Sequence, residues 1–430
     1  MASPCRYDDS LPELIKVLVA ELGVEHVASG VALRDATGRL AFFVNGELSA
    51  ADVDRSSRLV RARLGPYARP DRCVADREAP GASLALSDPG ARELDVGASR
   101  IRYLDRRIVG ADWLHPPSVT QVRPPRFVFA SLKGGVGRST ALSIVAAEHV
   151  RRGRNVLVVD LDLEAPGIGS MLLTSDRRPL LGALDYLVER NLGALTPLEL
   201  DNCVGTSSLT SGAGLVDVVP VVGSRSYSAP ENYLSKLSRA MIEDVTDGHP
   251  PLSVAEKIGA MLKELESRRP YDLVLVDARA GLAELAAGPL LCLGANVLLF
   301  GTAQPQTIEG LRFLFAHLSS LVREGDPSPW QALKMVHAKA QLAESHERFK
   351  DDLWGLFSEY LYEEQDGLEG FNFDVNAPDA PHNAIAVPFD LAFADWDPAE
   401  RPAKLVEEYY VRTFAPLLRF IDDVVSRGRP

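Results

Sequence analysis

The sequence has few cysteines and no long apolar run, and both absences exclude classes of protein. Its cysteines are Cys5, Cys73, Cys203 and Cys292. None belongs to a C-x-x-C pair or has histidines at metal-ligand spacing, so neither a zinc site nor a disulfide framework is predicted. No apolar run approaches the roughly 18 to 20 residues that cross a bilayer. The N-terminal segment also lacks the layout of a secretory signal, and a cytoplasmic protein without a membrane contact is therefore expected.

Positive charge, and lysine in particular, is also scarce. The formal net charge is −13, and only nine of the 46 basic residues are lysines. An acidic chain repels phosphate backbones at long range, which argues against sequence-independent binding of nucleic acid. Short basic clusters such as Arg151–Arg154 are typical of solvated surface. The 430 residues leave room for two or three domains of ordinary globular composition.

The first part of the chain is predicted to form a small α+β domain, residues 1–114. Apolar spacing and turn residues predict its helices over 11–22 and 49–64 and its strands over 30–34, 40–44 and 100–104. Ser49 is a suitable cap for the second helix. Residues 115–125 contain four prolines in eleven positions, which is typical of a linker.

From residue 126 to residue 430, strands alternate with helices. The strands are short, unbroken apolar runs, as expected of strands that are buried on both faces: 127–130, 155–160, 216–222, 271–276, 296–300, 333–336 and 384–387. This alternation predicts an α/β domain whose mostly parallel sheet carries helices on both faces. An acidic amphipathic segment at about 341–370 is predicted to be an inserted helix. Residues 405–425 form a further helix, whose interspersed acidic residues favour packing on the domain over membrane docking.

A glycine-rich loop lies directly between the first of these strands and the helix that follows. Its sequence from Lys133 to Thr140 is KGGVGRST. Glycines let successive backbone N–H groups line an anion-sized concavity, and the helix directs its positive N-terminus at the same anion. Ser139 is placed to hold Mg²⁺, as the hydroxyl residue does in phosphate-binding loops. A nucleotide phosphate site is therefore predicted, in preference to a merely flexible turn.

KGGVGRST resembles the deviant Walker A motif of the ParA/MinD family, P-loop ATPases of the SIMIBI class, usually written KGGVGKT or KGGVGKS. Two further motifs follow in the family's order. VVDLDLEAPG, residues 158–167, is similar to the family's second motif, and YDLVLVDARAG, residues 271–281, is similar to its Walker B strand. The resemblance extends from residue 126 to about residue 425 and leaves residues 1–114 outside it.

The resemblance implies a role for each matching residue. The nucleotide would be bound by Gly134, Gly135, Val136, Gly137, Arg138, Ser139 and Thr140. Lys133 matches the lysine that reaches across a homodimer to the partner's phosphates, and Asp162 matches the catalytic aspartate. Asp160 would lie with Ser139 and Asp162 in the surroundings of Mg²⁺, and Asp277 matches the Walker B carboxylate. On the residues alone, Asp160 and Asp277 are also acceptable as strand terminators, and Lys133 as a solvated loop lysine.

The base is not fixed by any motif in the sequence. No Asn/Thr-Lys-x-Asp element for guanine follows residues 333–336, and ATP is the nucleotide that the resemblance implies. His337 and Pro388 stand where the family often lines its base pocket, although a histidine packed in the core is an equal interpretation. ATP and GTP both stay open.

Arg138 departs from the family, which normally has the Walker lysine at this position. A guanidinium is wider than an ammonium, planar and tied to fixed donor directions. Positioning and electrostatics supply nearly all of phosphoryl-transfer catalysis, so Arg138, with Lys133 and Asp162, decides the rate. We favour slow hydrolysis over none. Sequences with KGGVGR form a branch of the family, and some of its members are associated with bacterial conflict or defence systems.

The sequence thus predicts an ATPase that acts as a molecular switch. Two protomers would sandwich two Mg·ATP, and the N-terminal domain and acidic insertion would contact a partner or effector protein. Two other interpretations remain. Arg138 favours a nucleotide-binding scaffold without turnover, and the net charge of −13 argues against a DNA-partitioning ATPase.

Overall fold

The computed structural model of the chain divides into two compact units, Met1–Ala111 and Asp112–Pro430. It describes residues 5–119, 122–193, 195–209, 214–243, 252–322, 328–363, 371–394, 396, 398 and 407–427. The short 3₁₀ segment Asp112–Leu114 falls in the second unit, not the first. There the Asp112 carboxylate accepts a hydrogen bond from the Ala255 N–H, and the Trp113 indole donates to the Ala283 carbonyl.

The first unit is a five-stranded sheet with the strand order β3-β2-β1-β5-β4. Its strands are β1 Val31–Arg34, β2 Leu40–Phe43, β3 Val74–Ala75, β4 Arg92–Val96 and β5 Ser99–Asp105, and its helices are α1 Tyr7–Leu22, α2 Val24–Ser29, α3 Ala50–Leu64 and α4 Ala82–Leu86. The predicted hairpin is confirmed, since β1 and β2 pair in antiparallel register. The Ser49 cap is confirmed as well, because its hydroxyl accepts a hydrogen bond from the Asp52 N–H at 3.1 Å.

The second unit is built on an eight-stranded sheet with the order β13-β12-β11-β6-β10-β7-β9-β8. Its strands are β6 Arg126–Ser131, β7 Val156–Asp160, β8 Gly205–Thr206, β9 Val216–Val219, β10 Leu273–Asp277, β11 Asn296–Gly301, β12 Leu333–Ala340 and β13 Ile385–Pro388. Neighbouring strands are parallel except at the edge, where β8 pairs antiparallel with β9. The α/β class and the mostly parallel sheet are therefore as predicted.

Helices cover both faces of this sheet. They are α5 Arg138–Arg151, α6 Ile168–Leu172, α7 Ala183–Arg190, α8 Pro197–Asp201, α9 Ser224–Ser228, α10 Tyr233–Ala240, α11 Val254–Arg268, α12 Glu284–Ala287, α13 Pro305–Ser319, α14 Ala343–Tyr360 and α15 Glu407–Arg427. Alternate residues of each strand enter opposite cores: in β6, Phe127 and Phe129 join α5 and α15, whereas Val128 and Ala130 join α11 and α13. Two-sided burial explains why the strands are unbroken apolar runs.

The two predicted outlying helices form and pack on the domain. α14 buries Phe349, Leu353 and Phe357, and residues 364–370 of the predicted insertion lie outside the described residues. α15 buries Tyr410 and Leu417 in the core that it shares with α5. Within the described chain, no helix combines the length and apolarity needed to span a bilayer.

Candidate functional site: the phosphate loop and its carboxylates

The loop between β6 and α5 is held in a conformation that requires glycine. Gly135 and Gly137 have φ values of +71° and +91°, a region that residues with a side chain rarely adopt. A Cβ added at Gly134, Gly135 or Gly137 would meet no atom within 4 Å apart from its chain neighbours. The loop therefore faces open space. Its glycines are needed for the backbone conformation and not for close packing against the rest of the chain.

Ser139 and Asp277 meet at the base of this loop. The Ser139 hydroxyl, in the first turn of α5, donates to Asp277 Oδ2 at 2.6 Å, at the carboxyl end of β10. Asp277 is 2% exposed, and its second oxygen, Oδ1, is buried with no hydrogen-bond partner among the described residues. Burial raises the pKa of this carboxyl to about 6, against the lowering effect of Arg138 and Ser139. A buried acceptor without a donor is what a hydrated cation would satisfy.

Asp160 lies opposite Asp277 in the register of β7 and β10, but its carboxylate is already engaged. It accepts hydrogen bonds from the N–H groups of Asp162, Gly167 and Ile168, each at 3.1 Å. Burial and the neighbouring Asp277 raise the pKa of Asp160 to about 8. Asp160 thus anchors the loop that carries Asp162, a role that the sequence analysis did not assign to it.

Asp162 lies between two guanidinium groups. Arg279 Nη1 donates to Asp162 Oδ1 at 3.1 Å, and Arg138 Nη2 is 3.5 Å from Oδ2. The second arm of Arg279 pairs with Glu164 at 2.5 Å. Sequence reasoning missed Arg279, although it stands two residues after Asp277 in the Walker B-like run.

Arg138 is buried, and its side chain is turned into the protein. Its Nη1 donates to the Ala278 carbonyl at 2.6 Å, and only 7% of the residue is exposed. The guanidinium therefore links the end of β10 to Asp162. Lys133, by contrast, is exposed, and within the described residues its ammonium donates to Gln306 Oε1 alone, at 3.2 Å, at the start of α13.

A cavity of about 320 Å³ opens beside the loop. One wall is formed by residues 135–140, and the other includes Lys339, Pro388 and Phe389. The structure thus brings Pro388 to the phosphate loop. Lys339 has a φ of +55° and is the one non-glycine residue of the described chain with a positive φ. It lies at an irregularity in the pairing of β12 with β13.

His337 does not line this cavity. It is 2% exposed, and its ring packs against Phe349 and stacks on His346, with the two Nδ1 atoms 2.9 Å apart. Burial and His346 lower the pKa of His337 to about 4. The histidine is a core residue between β12 and α14, which is the second of the two interpretations that the sequence left open.

The protein alone offers little to a metal ion. Over the residues that the structure describes, no group of three or more His, Cys, Asp or Glu side chains is placed to hold one. Mg²⁺ needs no such cage, because it is usually bound through one or two protein ligands together with water and substrate phosphates. Ser139 and Asp277 fit that pattern when a nucleotide supplies the remaining ligands.

The chain is similar to several solved structures. A ParA family ATPase from Chlorobium tepidum TLS matches 67% of this chain and 98% of its own at 15% identity and a TM-score of 0.41. A ParA of pNOB8 bound to nonspecific DNA matches 71% and 100% at 15% identity and a TM-score of 0.42. A putative plasmid partition protein from Borrelia burgdorferi B31, bound to AMPPNP, matches 60% and 93% at 18% identity and a TM-score of 0.37. No protein-family model and no curated protein matches the chain.

Proposed function

We propose that this chain is a P-loop ATPase that works as a nucleotide-dependent switch, hydrolysing Mg·ATP slowly and dimerising around it. The contact between Ser139 Oγ and Asp277 Oδ2 carries the proposal, because it joins a helix N-terminus to the end of a neighbouring parallel strand. The helix has 14 residues and follows a loop whose two positive-φ glycines leave its amides free of side chains. Such an arrangement attracts a phosphate through backbone donors and the helix dipole.

Ser139 and Asp277 are the residues that would hold Mg²⁺. The unpartnered Asp277 Oδ1 supports this assignment, because a buried carboxylate oxygen without a donor is costly to the fold. When bound, the ion neutralises charge on the phosphates of the nucleotide. The cavity beside Pro388 is where the base and ribose of the nucleotide would lie.

Slow turnover follows from the way in which the charges of the site are already paired. Arg138 donates to the Ala278 carbonyl, so its guanidinium has to be drawn from the protein before it can face a phosphate. Asp162 is engaged by Arg138 and Arg279, and it must be released before it can orient a water molecule. These pairings also favour the second candidate, a nucleotide-binding scaffold without turnover.

The exposed Lys133 supports the dimer. Its ammonium projects from the loop towards Gln306 and, in the part of the chain that the structure describes, forms no ion pair with the carboxylates of its own site. A lysine in this position is available to a second copy of the chain. The first unit and α14, which the nucleotide site does not use, are then the surfaces proposed to contact a partner or effector protein.

Titration calorimetry with Mg·ATP tests the nucleotide site. Ser139→Ala is expected to weaken Mg·ATP binding by roughly tenfold to a hundredfold, the usual effect of removing a partner from a metal shell. Ser143→Ala is the matched control, because its hydroxyl lies on the same helix and donates only to the Ser139 carbonyl. Equal affinities for the wild type and Ser139→Ala would contradict the proposal. The same titration with GTP reports the base preference.

Phosphate release separates the ATPase from the scaffold. Wild-type protein with Mg·ATP is expected to release phosphate slowly, and Asp162→Ala is expected to abolish the release. A wild-type rate that Asp162→Ala leaves unchanged would favour the scaffold.

A further inference from the structure

A second cavity lies at the amino ends of strands of the eight-stranded sheet, whereas the nucleotide cavity lies at their carboxyl ends. Its volume is about 770 Å³, within the range of roughly 300 to 1,000 Å³ that is common for small-molecule sites. It is lined by the first residues of β11, β12 and β13 and by the second half of α15. The phosphate loop follows the carboxyl end of β6, at the opposite side of the sheet from these amino ends, so this cavity is no part of the nucleotide site.

The interior of this cavity holds a buried lysine. Lys334 is 6% exposed, and its ammonium donates to the carbonyls of Ala380 at 2.7 Å and Pro378 at 3.4 Å. An ammonium has three N–H donors, and carbonyl groups do not neutralise its charge. Among the described residues no carboxylate forms an ion pair with Lys334, although Asp379, which also lines the cavity, is near enough to favour its charged form. Burial lowers the pKa of Lys334 to about 8, so most of the ammonium remains protonated at neutral pH.

The rim of the cavity adds three exposed arginines, Arg123, Arg419 and Arg427. The neighbouring Arg126, by contrast, pairs with Glu266 at 2.6 Å. These three have no hydrogen-bond or ion-pair partner within the part of the chain that the structure describes. Only Asp379 and Asp423 oppose the four cations among the lining side chains. The cavity thus carries positive charge in a chain whose net charge is −13.

One wall of the cavity is aromatic. The half-buried ring of Phe420 has its centroid 5.9 Å from Lys334 Nζ. Pro125 and Pro416 extend this apolar surface. An apolar wall beside convergent cations fits a ligand with one flat face and one charged end.

We infer that this cavity binds a small organic anion, whose phosphate, sulfonate or carboxylate group meets Lys334 and the rim arginines while its flat body lies against Phe420. The charge of the ligand supplies the partner that the buried ammonium lacks. The site is independent of the proposed ATPase function, because none of these residues lines the phosphate loop.

The test uses the full chain without nucleotide, because ATP is itself an anion with a flat body, and 8-anilinonaphthalene-1-sulfonate serves as the fluorescent probe. The substituted residues line this cavity and not the nucleotide cavity, so their effect assigns the binding to this site. Wild-type protein is expected to bind the probe and release it to inorganic pyrophosphate. The double variant Arg419→Gln/Arg427→Gln should bind it at least tenfold more weakly. Arg412→Gln is the matched control, an exposed arginine of the same helix outside the cavity, and should change the affinity less than twofold.

Lys334→Met is the second variant, and it should also lose the probe. Because replacing a buried residue could disturb the fold, the double variant of the exposed Arg419 and Arg427 decides the question. Circular dichroism checks that Lys334→Met and the double variant are both folded. Wild-type affinity in the double variant overturns the proposal. Displacement of the probe by duplex DNA but not by pyrophosphate also overturns it, because the face then binds a nucleic-acid backbone.

Discussion

At the scale of single residues, the site is distinguished by the pairing of its charges within the chain. Arg138 and Arg279 both contact Asp162, and Arg138 also holds the Ala278 carbonyl. A guanidinium can make these contacts together because its donors diverge in one plane. An ammonium at residue 138 would be a compact charge without that fixed geometry.

Arg138→Lys is therefore expected to raise the rate of ATP hydrolysis. The lysine leaves Asp162 and places a mobile charge near the phosphates, where one well-positioned cation contributes a factor of roughly 10³ to 10⁵ in related chemistry. We expect an increase of about tenfold or more in phosphate release at saturating Mg·ATP. A lower rate in Arg138→Lys, with intact nucleotide binding, would show that the arginine itself is the catalytic group.

Lys339 offers a second test at this scale, because its backbone is strained. A φ of +55° costs a residue with a side chain roughly 1–2 kcal/mol relative to glycine. Lys339→Gly is expected to raise the free energy of unfolding by about 1 kcal/mol, after allowance for the greater freedom of glycine in the unfolded chain. Lys339→Ala removes the same ammonium but keeps the strain, and urea denaturation of the two variants isolates the backbone effect. Equal stabilities would refute the strain.

At the scale of secondary-structure elements, β12 and α14 are joined by two stacked histidines. His337, on β12, and His346, on α14, both have their pKa values lowered, chiefly by burial. A histidine with a lowered pKa stabilises the fold as a neutral ring. For His337 this stability is complete above the ordinary pKa of 6.5 and is lost as the pH falls from there towards 4, and the lowered pKa of His346 acts in the same direction.

Thermal unfolding should therefore become easier on acidification, with the Tm falling between pH 7 and pH 5. His337→Phe keeps an aromatic ring beside Phe349 but cannot titrate, so its Tm should fall less over the same interval. His26→Gln, which replaces an exposed histidine of the first unit, serves as the control and should follow the wild type. The slope with pH is the readout, and identical slopes for His337→Phe and wild type would contradict the prediction.

The strands that could be predicted are those with a strong local signal. The central strands are buried on both faces, so their apolar runs are unbroken and almost independent of context. The edge strands β3 and β8 have two residues each, and nothing in such a short run distinguishes a strand. Residues 223–233 look like a polar loop in sequence, yet α9 and a 3₁₀ turn form there because the surrounding structure decides such short segments.

The site was predictable where the chain order alone determines it. Loop 133–140 and Asp277 follow adjacent parallel strands, so their meeting could be expected. The three donors on Asp160 and the burial of His337 could not, because the first depends on how residues 161–168 curl and the second on where α14 packs. Arg279 was visible in the sequence, but only its distance to Asp162 gives it a role.

At the scale of the whole molecule, the proposed dimer depends on Lys133. Lys133→Ala should leave the affinity of the monomer for Mg·ATP within about twofold while abolishing the nucleotide-induced dimer, since among the described residues the ammonium has no hydrogen-bond partner besides Gln306. Sedimentation velocity with and without Mg·ATP measures the change in mass. A wild-type chain with the same mass under both conditions would remove the support for a sandwich.

One strand has an end in each of the two cavities. Near the beginning of β12, Lys334 lines the cavity proposed to bind an organic anion, and near its end Lys339 lines the cavity beside the phosphate loop. The two residues are roughly 17 Å apart at the usual rise of a parallel strand. Thermodynamic linkage makes any influence along such a strand mutual. If an anion bound beside Lys334 changes the affinity for the nucleotide by some factor, the nucleotide changes the affinity for that anion by the same factor.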